Sequence, residues 1–134
     1  MSGARNATDT RCVLWEHRPL RPPATQGAYR AQGIGAEIAR VFYQRGYKVG
    51  IYDINESLAQ NLAQELGPNA CAGYLDVSDY SQWQHILKEF TDWAGELNIL
   101  VNNAGATWGA ELGKFPEAGW DKVLDTNLKS FQFA

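Results

Sequence analysis

The sequence predicts an α/β fold built on a parallel sheet. Three observations carry that prediction. From Gly33 onward, short apolar runs alternate with stretches of helical period. The apolar runs end in polar residues, at Asp53, Asp76 and Asn102-Asn103. Two glycines spaced by one residue, Gly33-Ile34-Gly35, open the first helical stretch. Alternation of this kind calls for crossover helices that cover both faces of parallel strands.

The elements follow in order. Ile34, Ile38, Val41 and Phe42 fall on one face of a first helix, which Gly46 stops. Lys48 to Tyr52 is a short apolar run closing at Asp53, the pattern of a buried strand. Asn55 caps a second helix with Leu58, Ala59, Leu62, Ala63 and Leu66 inward and Gly67 at its end. Ala70 to Leu75 reads as a strand closing at Asp76. Ser78 caps a third helix with Tyr80, Trp83, Leu87 and Phe90 at three-and-four spacing. Ile99 to Val101 is a further strand, and Pro116 opens a last helix with Trp120, Val123, Leu124, Leu128 and Phe131 inward.

Residues 1–31 read differently. The first 30 hold five arginines, no lysine and two acids, a net +3, against −6 for the remainder. No period of 2 or 3.6 runs through them. Arg11 to His17 has the makings of a short strand, but Pro19, Pro22 and Pro23 separate it from the glycine turn. A transit peptide, a flexible extension and a foreign segment compete, and the foreign segment fits best. The expected organisation is therefore an atypical segment 1–31 and a partial dinucleotide-binding domain over 32–134.

Composition narrows the function classes. A net charge of −3 gives no basic face for nucleic acid. Two cysteines and two histidines make neither a disulfide framework nor a metal spacing, so no metal is expected. No apolar run approaches the roughly 18 residues of a membrane span, and the N-terminus lacks a signal-peptide core. A reducing, cytoplasmic setting is the default.

In a parallel α/β sheet, ligands sit beyond the carboxyl ends of the strands, so the polar groups placed there are the candidates. Gly33-Ile34-Gly35 at a helix mouth suits a phosphate, since small residues allow close approach and the helix dipole favours an anion. Asp53, with Ile54 beside it, follows Gly33 by 20 residues. Its carboxylate could accept bonds from an adenosine ribose and repel a 2′-phosphate; the alternative is a solvated turn. Asp76 has the weaker case, because aspartate before a helix cap is common. Amides at Asn102-Asn103 could fix the loop through Ala104-Gly105 against a cofactor, or simply form a turn. Asn127 falls on the inward face of the last helix, where an amide must find partners or cost roughly 1–3 kcal/mol. Trp108 reads as a packing residue or a border of a substrate pocket, and His85 as a surface residue.

Taken together, these residues resemble the classical short-chain dehydrogenases/reductases, over about residues 32–134 and roughly the first half of a complete member. Gln32-Gly33-Ile34-Gly35 is similar to the end of that family's Thr-Gly-x-x-x-Gly-x-Gly turn. Asp53 resembles the acid that selects NAD over NADP. Asp76 and Val77 resemble the pair flanking the adenine, and Asn102-Asn103-Ala104-Gly105 matches the family's Asn-Asn-Ala-Gly motif. Asn127 matches the asparagine that holds a water in the family's proton relay. Two departures accompany the match. The first glycine and threonine of the turn should fall at Tyr29 and Ala28, with Gly27 two residues too early, and no clean apolar strand precedes them. The family's first strand is thus replaced or missing, which leaves a gap between two sheet edges. The resemblance also ends at Ala134, before the family's serine and Tyr-x-x-x-Lys, so the catalytic half is absent.

The resemblance implies an incomplete Rossmann-like, doubly wound parallel sheet. It implies hydride transfer between a nicotinamide and a carbonyl or secondary alcohol, with a weak preference for 3-oxoacyl-like substrates and no turnover by the chain as written. NAD is the expected cofactor, with Asn127 as the one catalytic residue retained and with cofactor contacts from Gly33, Ile34, Gly35, Asp53, Ile54, Asp76, Val77, Asn103, Ala104 and Gly105. Neither membrane nor nucleic acid is expected as a partner, and the final helix is the expected homo-oligomer contact. The competing expectations are a non-catalytic binding or interaction fragment and a product without a stable fold.

Overall fold

The computed structural model describes residues 12–15, 33–106 and 108–132. Gln32 and the turn positions Ala28 and Tyr29 lie outside the described residues, as does the side chain of Phe131. The elements are β1 (Cys12–Trp15), α1 (Ile34–Gln44), β2 (Lys48–Asp53), α2 (Glu56–Leu66), β3 (Ala70–Tyr74), α3 (Tyr80–Ala94), β4 (Ile99–Leu100) and α4 (Glu117–Asn127). A 3₁₀ turn, Lys129–Gln132, follows α4.

The four strands form one sheet in the order β3-β2-β1-β4. All pairings are parallel: Val49 faces Ala70 across β2–β3, Val13 faces Val49 across β1–β2, and Leu14 faces Leu100 across β1–β4. The chain moves outward from β1 to β3, then returns to β1's other side at β4, as in a doubly wound Rossmann-like sheet. The alternating strand–helix pattern is therefore borne out.

The gap expected between two sheet edges is filled. Cys12–Trp15 lies between β2 and β4, so the first strand is replaced rather than missing, and the segment 1–31 supplies the centre of the sheet. A central parallel strand needs only backbone donors and acceptors on both sides. Four residues satisfy that without displaying a readable period.

Strand β2 is buried on both faces, which explains its apolar run. Val49 and Ile51 pack with Ala36, Ala39, Ala59, Leu62 and Ala63 of α1 and α2. Tyr52 points the other way, into a cluster with Leu75, Val77, Trp83, Ile86, Phe90 and Ala94 around α3. Helices thus cover both faces. Gly50 is required by this second layer: a Cβ there would sit 2.7 Å from the Phe90 ring.

Several inward faces differ from expectation. On α1 the buried residues are Gly35, Ala36 and Ala39, whereas Ile34 and Val41 are exposed. Small residues let the helix axis approach the sheet closely, and that outweighs the larger stripe beside them. Tyr80 is also exposed, with Trp83, Ile86, Phe90 and Ala94 forming the buried face of α3. The cap of α3 is Asp79, which accepts the Ser81 N–H at 2.9 Å, while Ser78 binds Asp76 instead. On α4 only Gly119 and Thr126 are buried, and Trp120, Leu124 and Leu128 are exposed. The second helix matches expectation: Asn55 Oδ1 accepts the Leu58 N–H, and Ala59, Leu62 and Ala63 are buried. Gly46 ends α1 with φ +84°, a left-handed conformation that glycine adopts without strain.

Candidate functional site

Parallel strands end on one edge, and the order reversal between β1 and β4 marks a crevice there. The return direction of α1 brings its N-terminus to the same edge. Gly33 precedes α1 with extended backbone, φ −78° and ψ 168°, and its carbonyl accepts the Ala36 N–H at 3.0 Å. Gly35 is buried and Ile34 is 76% exposed. The helix dipole here is complemented within the chain by Glu37 in the first turn.

Asp53 ends β2 and is only 1% exposed. Its Oδ1 accepts the Asn55 N–H at 2.7 Å, an Asx turn that aims the chain into α2, and its carbonyl accepts the Leu75 N–H at 3.2 Å. Ile54 beside it is half-buried. One strand further out, Asp76 Oδ1 accepts from both the N–H and the hydroxyl of Ser78, at 3.0 and 2.6 Å. The Asp76 N–H donates to Gln82 Oε1 at 2.9 Å. Val77 is 4% exposed, its side chain in the α3 core and its carbonyl accepting the Trp83 indole N–H at 3.0 Å. Asp76 is thus a turn organiser, and Val77 offers a ligand little apolar surface.

After β4 the chain runs through Asn102 (exposed), Asn103, Ala104 and Gly105 (half-buried) to Ala106, which is buried. The Asn127 amide grips this loop: Oδ1 accepts the Ala106 N–H at 2.6 Å and Nδ2 donates to the Ala106 carbonyl at 2.8 Å. A Cβ at Gly105 would sit 3.6 Å from the same Oδ1. Asn127 does find its partners, but not by pointing into the core. Residue 127 is exposed overall, and its amide reaches the loop across the last turn of α4. Sequence reasoning flagged Asn127 as a polar group in an apolar stripe; it missed Ala106, whose contribution is backbone alone.

The structure thus brings the turn before α1, Asp53, Asp76 and the 102–106 loop to one edge of the sheet, with Asn127 locked onto the last. A carboxylate ending β2 and a helix N-terminus at the same sheet edge are the groups that would hold the ribose and the pyrophosphate of a dinucleotide. The two widest hollows among the described residues lie elsewhere. One of about 510 Å³ runs along the outer edge of β3 by Tyr74, Ser81 and His85, and one of about 590 Å³ flanks Leu124 and Leu128. None of the candidate residues lines either. No group of histidine, cysteine and carboxylate side chains suited to a metal occurs among the described residues. No helix among them is long and apolar enough to cross a membrane.

Comparison with known proteins places this edge in a family. The family model for short chain dehydrogenases matches residues 28–134. Sorbitol dehydrogenase of Cereibacter sphaeroides is 35% identical over 103 residues, covering 77% of this chain and 40% of the relative. Galactitol 2-dehydrogenase of Agrobacterium fabrum is 38% identical over 103 residues, with the same coverages of 77% and 40%. The 3-oxoacyl-(acyl-carrier-protein) reductase of Vibrio cholerae is 38% identical over 100 residues, 75% of this chain and 41% of the relative. The chain spans about two-fifths of the length of these curated relatives. β1 lies outside the matched residues, so the strand at the centre of the sheet comes from a stretch without counterpart in the match. This family works with nicotinamide dinucleotides as its cofactors. From Gly33 to the end of α4, the strand order, the strand-end residues and the matched sequence agree: the chain belongs to the short-chain dehydrogenase/reductase family.

Proposed function

We propose that this chain is the cofactor-binding half of an NAD-dependent oxidoreductase that exchanges hydride with a carbonyl or secondary alcohol. The observation that carries the choice of NAD is Asp53: its carboxylate is 1% exposed and held by the Asn55 N–H at the end of β2. Fixed at the end of β2, a carboxylate in this position can accept from a ribose hydroxyl and repels a 2′-phosphate. When bound, the nicotinamide supplies the hydride chemistry. The chain's own residues bind and orient: Gly33, Ile34 and Gly35 offer backbone to the pyrophosphate, Asp53 and Ile54 border the ribose and adenine, and Asp76 and Val77 set the next turn. Asn103, Ala104 and Gly105 form the floor, and Asn127 holds that floor through Ala106.

The relatives named above act on polyols and on 3-oxoacyl groups, and a 3-oxoacyl-like substrate is the preferred reading for the whole enzyme. The setting is cytoplasmic. Calorimetric titration with NAD and with NADP tests the reading: saturable heat with NAD and none with NADP is expected, and Asp53→Ala should narrow that difference. NADP binding without NAD binding would overturn it. A homo-oligomer through α4 is a second part of the proposal, supported by the exposure of Trp120, Leu124 and Leu128. Light scattering showing a monomer at all concentrations would remove it.

A further inference from the structure

Helix α4 touches the loop after β4 at a second place besides Asn127, and at the helix's other end. The Trp108 indole lies against Gly119, in the first turn of α4. A Cβ at Gly119 would sit 2.8 Å from Trp108 Cγ and Cδ2 and 3.0 Å from Cδ1. That is closer than carbon atoms pack, so the ring occupies the space that only a glycine leaves open. Lys122 Nζ stands over the same ring, 5.8 Å from its centroid, within the range at which an ammonium is drawn to an aromatic face. Gly119 and Lys122 are three apart and hence neighbours on the helix surface. Gly119 is buried while Trp108 keeps 42% of its surface exposed. The ring is therefore seated rather than enclosed: one part of it lies on the helix and the rest faces solvent.

The two contacts hold the far end of the loop. Asn127 fixes Ala106 from the last turn of α4, and the Gly119–Lys122 seat fixes Trp108 from the first. They are eight residues apart on the helix, about 12 Å at the helical rise of 1.5 Å per residue. One fastening would let the chain beyond β4 pivot. Two at different heights of one rigid helix define its direction. We propose that Trp108 is a positioning residue: seated between Gly119 and Lys122, it holds the 102–106 backbone in the conformation that meets the cofactor. Only the last step, that this backbone meets a dinucleotide, rests on the proposed function.

Hydrogen exchange at the Ala106 amide, measured without any cofactor, separates the two claims. Trp108→Ala should speed exchange there about tenfold, because the loop opens locally while the sheet amides of β2 stay protected. Gly119→Ala should do the same for the opposite reason, by pushing the ring off its seat, although alanine favours the helix itself. The double variant should match either single, since both break one contact. Trp108→Phe, which keeps a ring over Gly119, should stay within about twofold of the parent. Unchanged protection at Ala106 in Trp108→Ala and Gly119→Ala overturns the inference, whatever the cofactor does. NAD titration of the same variants supplies the second readout: affinity should fall about fivefold as preorganisation is lost, with Trp108→Phe restoring it. Faster exchange with unchanged NAD affinity also overturns the positioning role. If the parent chain binds no NAD, the proposed function falls, and the exchange result alone decides whether Trp108 holds the loop.

Discussion

Two parts of the chain carry apolar residues at helical spacing in sequence and meet opposite fates in structure. Helices α2 and α3 bury their apolar faces: Ala59, Leu62 and Ala63 on one side of the sheet, Trp83, Ile86, Phe90 and Ala94 on the other. Helix α4 carries a weaker stripe than either, and its Trp120, Leu124 and Leu128 are 58%, 38% and 67% exposed. The difference lies in what the helices cover. The first two flank β2, which is buried on both faces, where each apolar side chain removes a neighbour's surface from water as well as its own. The third is held along a loop by a seat for Trp108 and an amide grip on Ala106. Amphipathic period reports that a helix has an apolar side, not that anything covers it.

The comparison breaks most visibly under truncation. Phe90 is fully buried against Tyr52, Leu75 and Trp83, so Phe90→Ala should destabilise by about 3–5 kcal/mol, as aromatic deletions in closed cores do. Leu128→Ala should change stability by less than about 0.5 kcal/mol, since the side chain is mostly solvated. Urea unfolding followed by circular dichroism reads both, and equal losses would mean that α4 is as enclosed as α3. Next in size is Gly50→Ala. The new methyl would sit 2.7 Å from the Phe90 ring, and overpacking of this kind costs about 1–3 kcal/mol. Pairing it with Phe90→Leu should recover part of that loss; an unchanged loss would place the strain elsewhere. Smaller again is Asn55→Ala, which removes the side-chain acceptor for the Leu58 N–H and should cost about 1 kcal/mol by the same measurement.

The element order was legible from Gly33 onward because each apolar run has a turn residue at its end and each helix a stop. Asp53, Asp76 and the 102–105 loop were legible as strand-end residues for the same reason: a parallel sheet leaves its polar groups at one edge. Three things were not. A short strand within 11–17 was legible, and β1 falls in it, but its place between β2 and β4 was not, because that is set by backbone pairing that leaves no mark in side-chain type. On α1 Ile38 and Phe42 pack against the core as read, but the exposure of Ile34 and Val41 was not legible, because hydrophobicity favours them while close approach to the sheet selects Gly35, Ala36 and Ala39. The partners of Asn127 and Gly119 were invisible, since one is the backbone of Ala106 and the other an absence of a side chain under Trp108. An amide in an apolar stripe announces that it needs a partner. It does not say where.

The smallest expected effect sharpens the comparison from the covered side. Helices α1 and α2 share a surface fork: Arg40 Nε donates to Glu65 Oε1 at 2.9 Å and Arg40 Nη2 to Glu65 Oε2 at 3.1 Å, with Nη1 on Glu37 at 2.7 Å. The hydrogen bonds from Arg40 hold the Glu65 carboxyl below its ordinary 4.5. A carboxyl lowered in the folded state stabilises fully above its unfolded pKa and loses that contribution as pH falls through the folded one. The Glu65 side chain is 56% exposed, so solvent screening keeps the pair to a few tenths of a kcal/mol, about 1 at most. Glu65→Gln should therefore lower the unfolding midpoint slightly at pH 7, and the gap from the parent should close as the pH is taken below the carboxylate range. High salt at pH 7 should narrow it as well, because the fork is open to ions. A gap that persists at low pH would assign the loss to packing of the Glu65 stem rather than to its charge. The α1–α2 contact would then be held, like the seat of Trp108 on α4, by the fit of side chains alone.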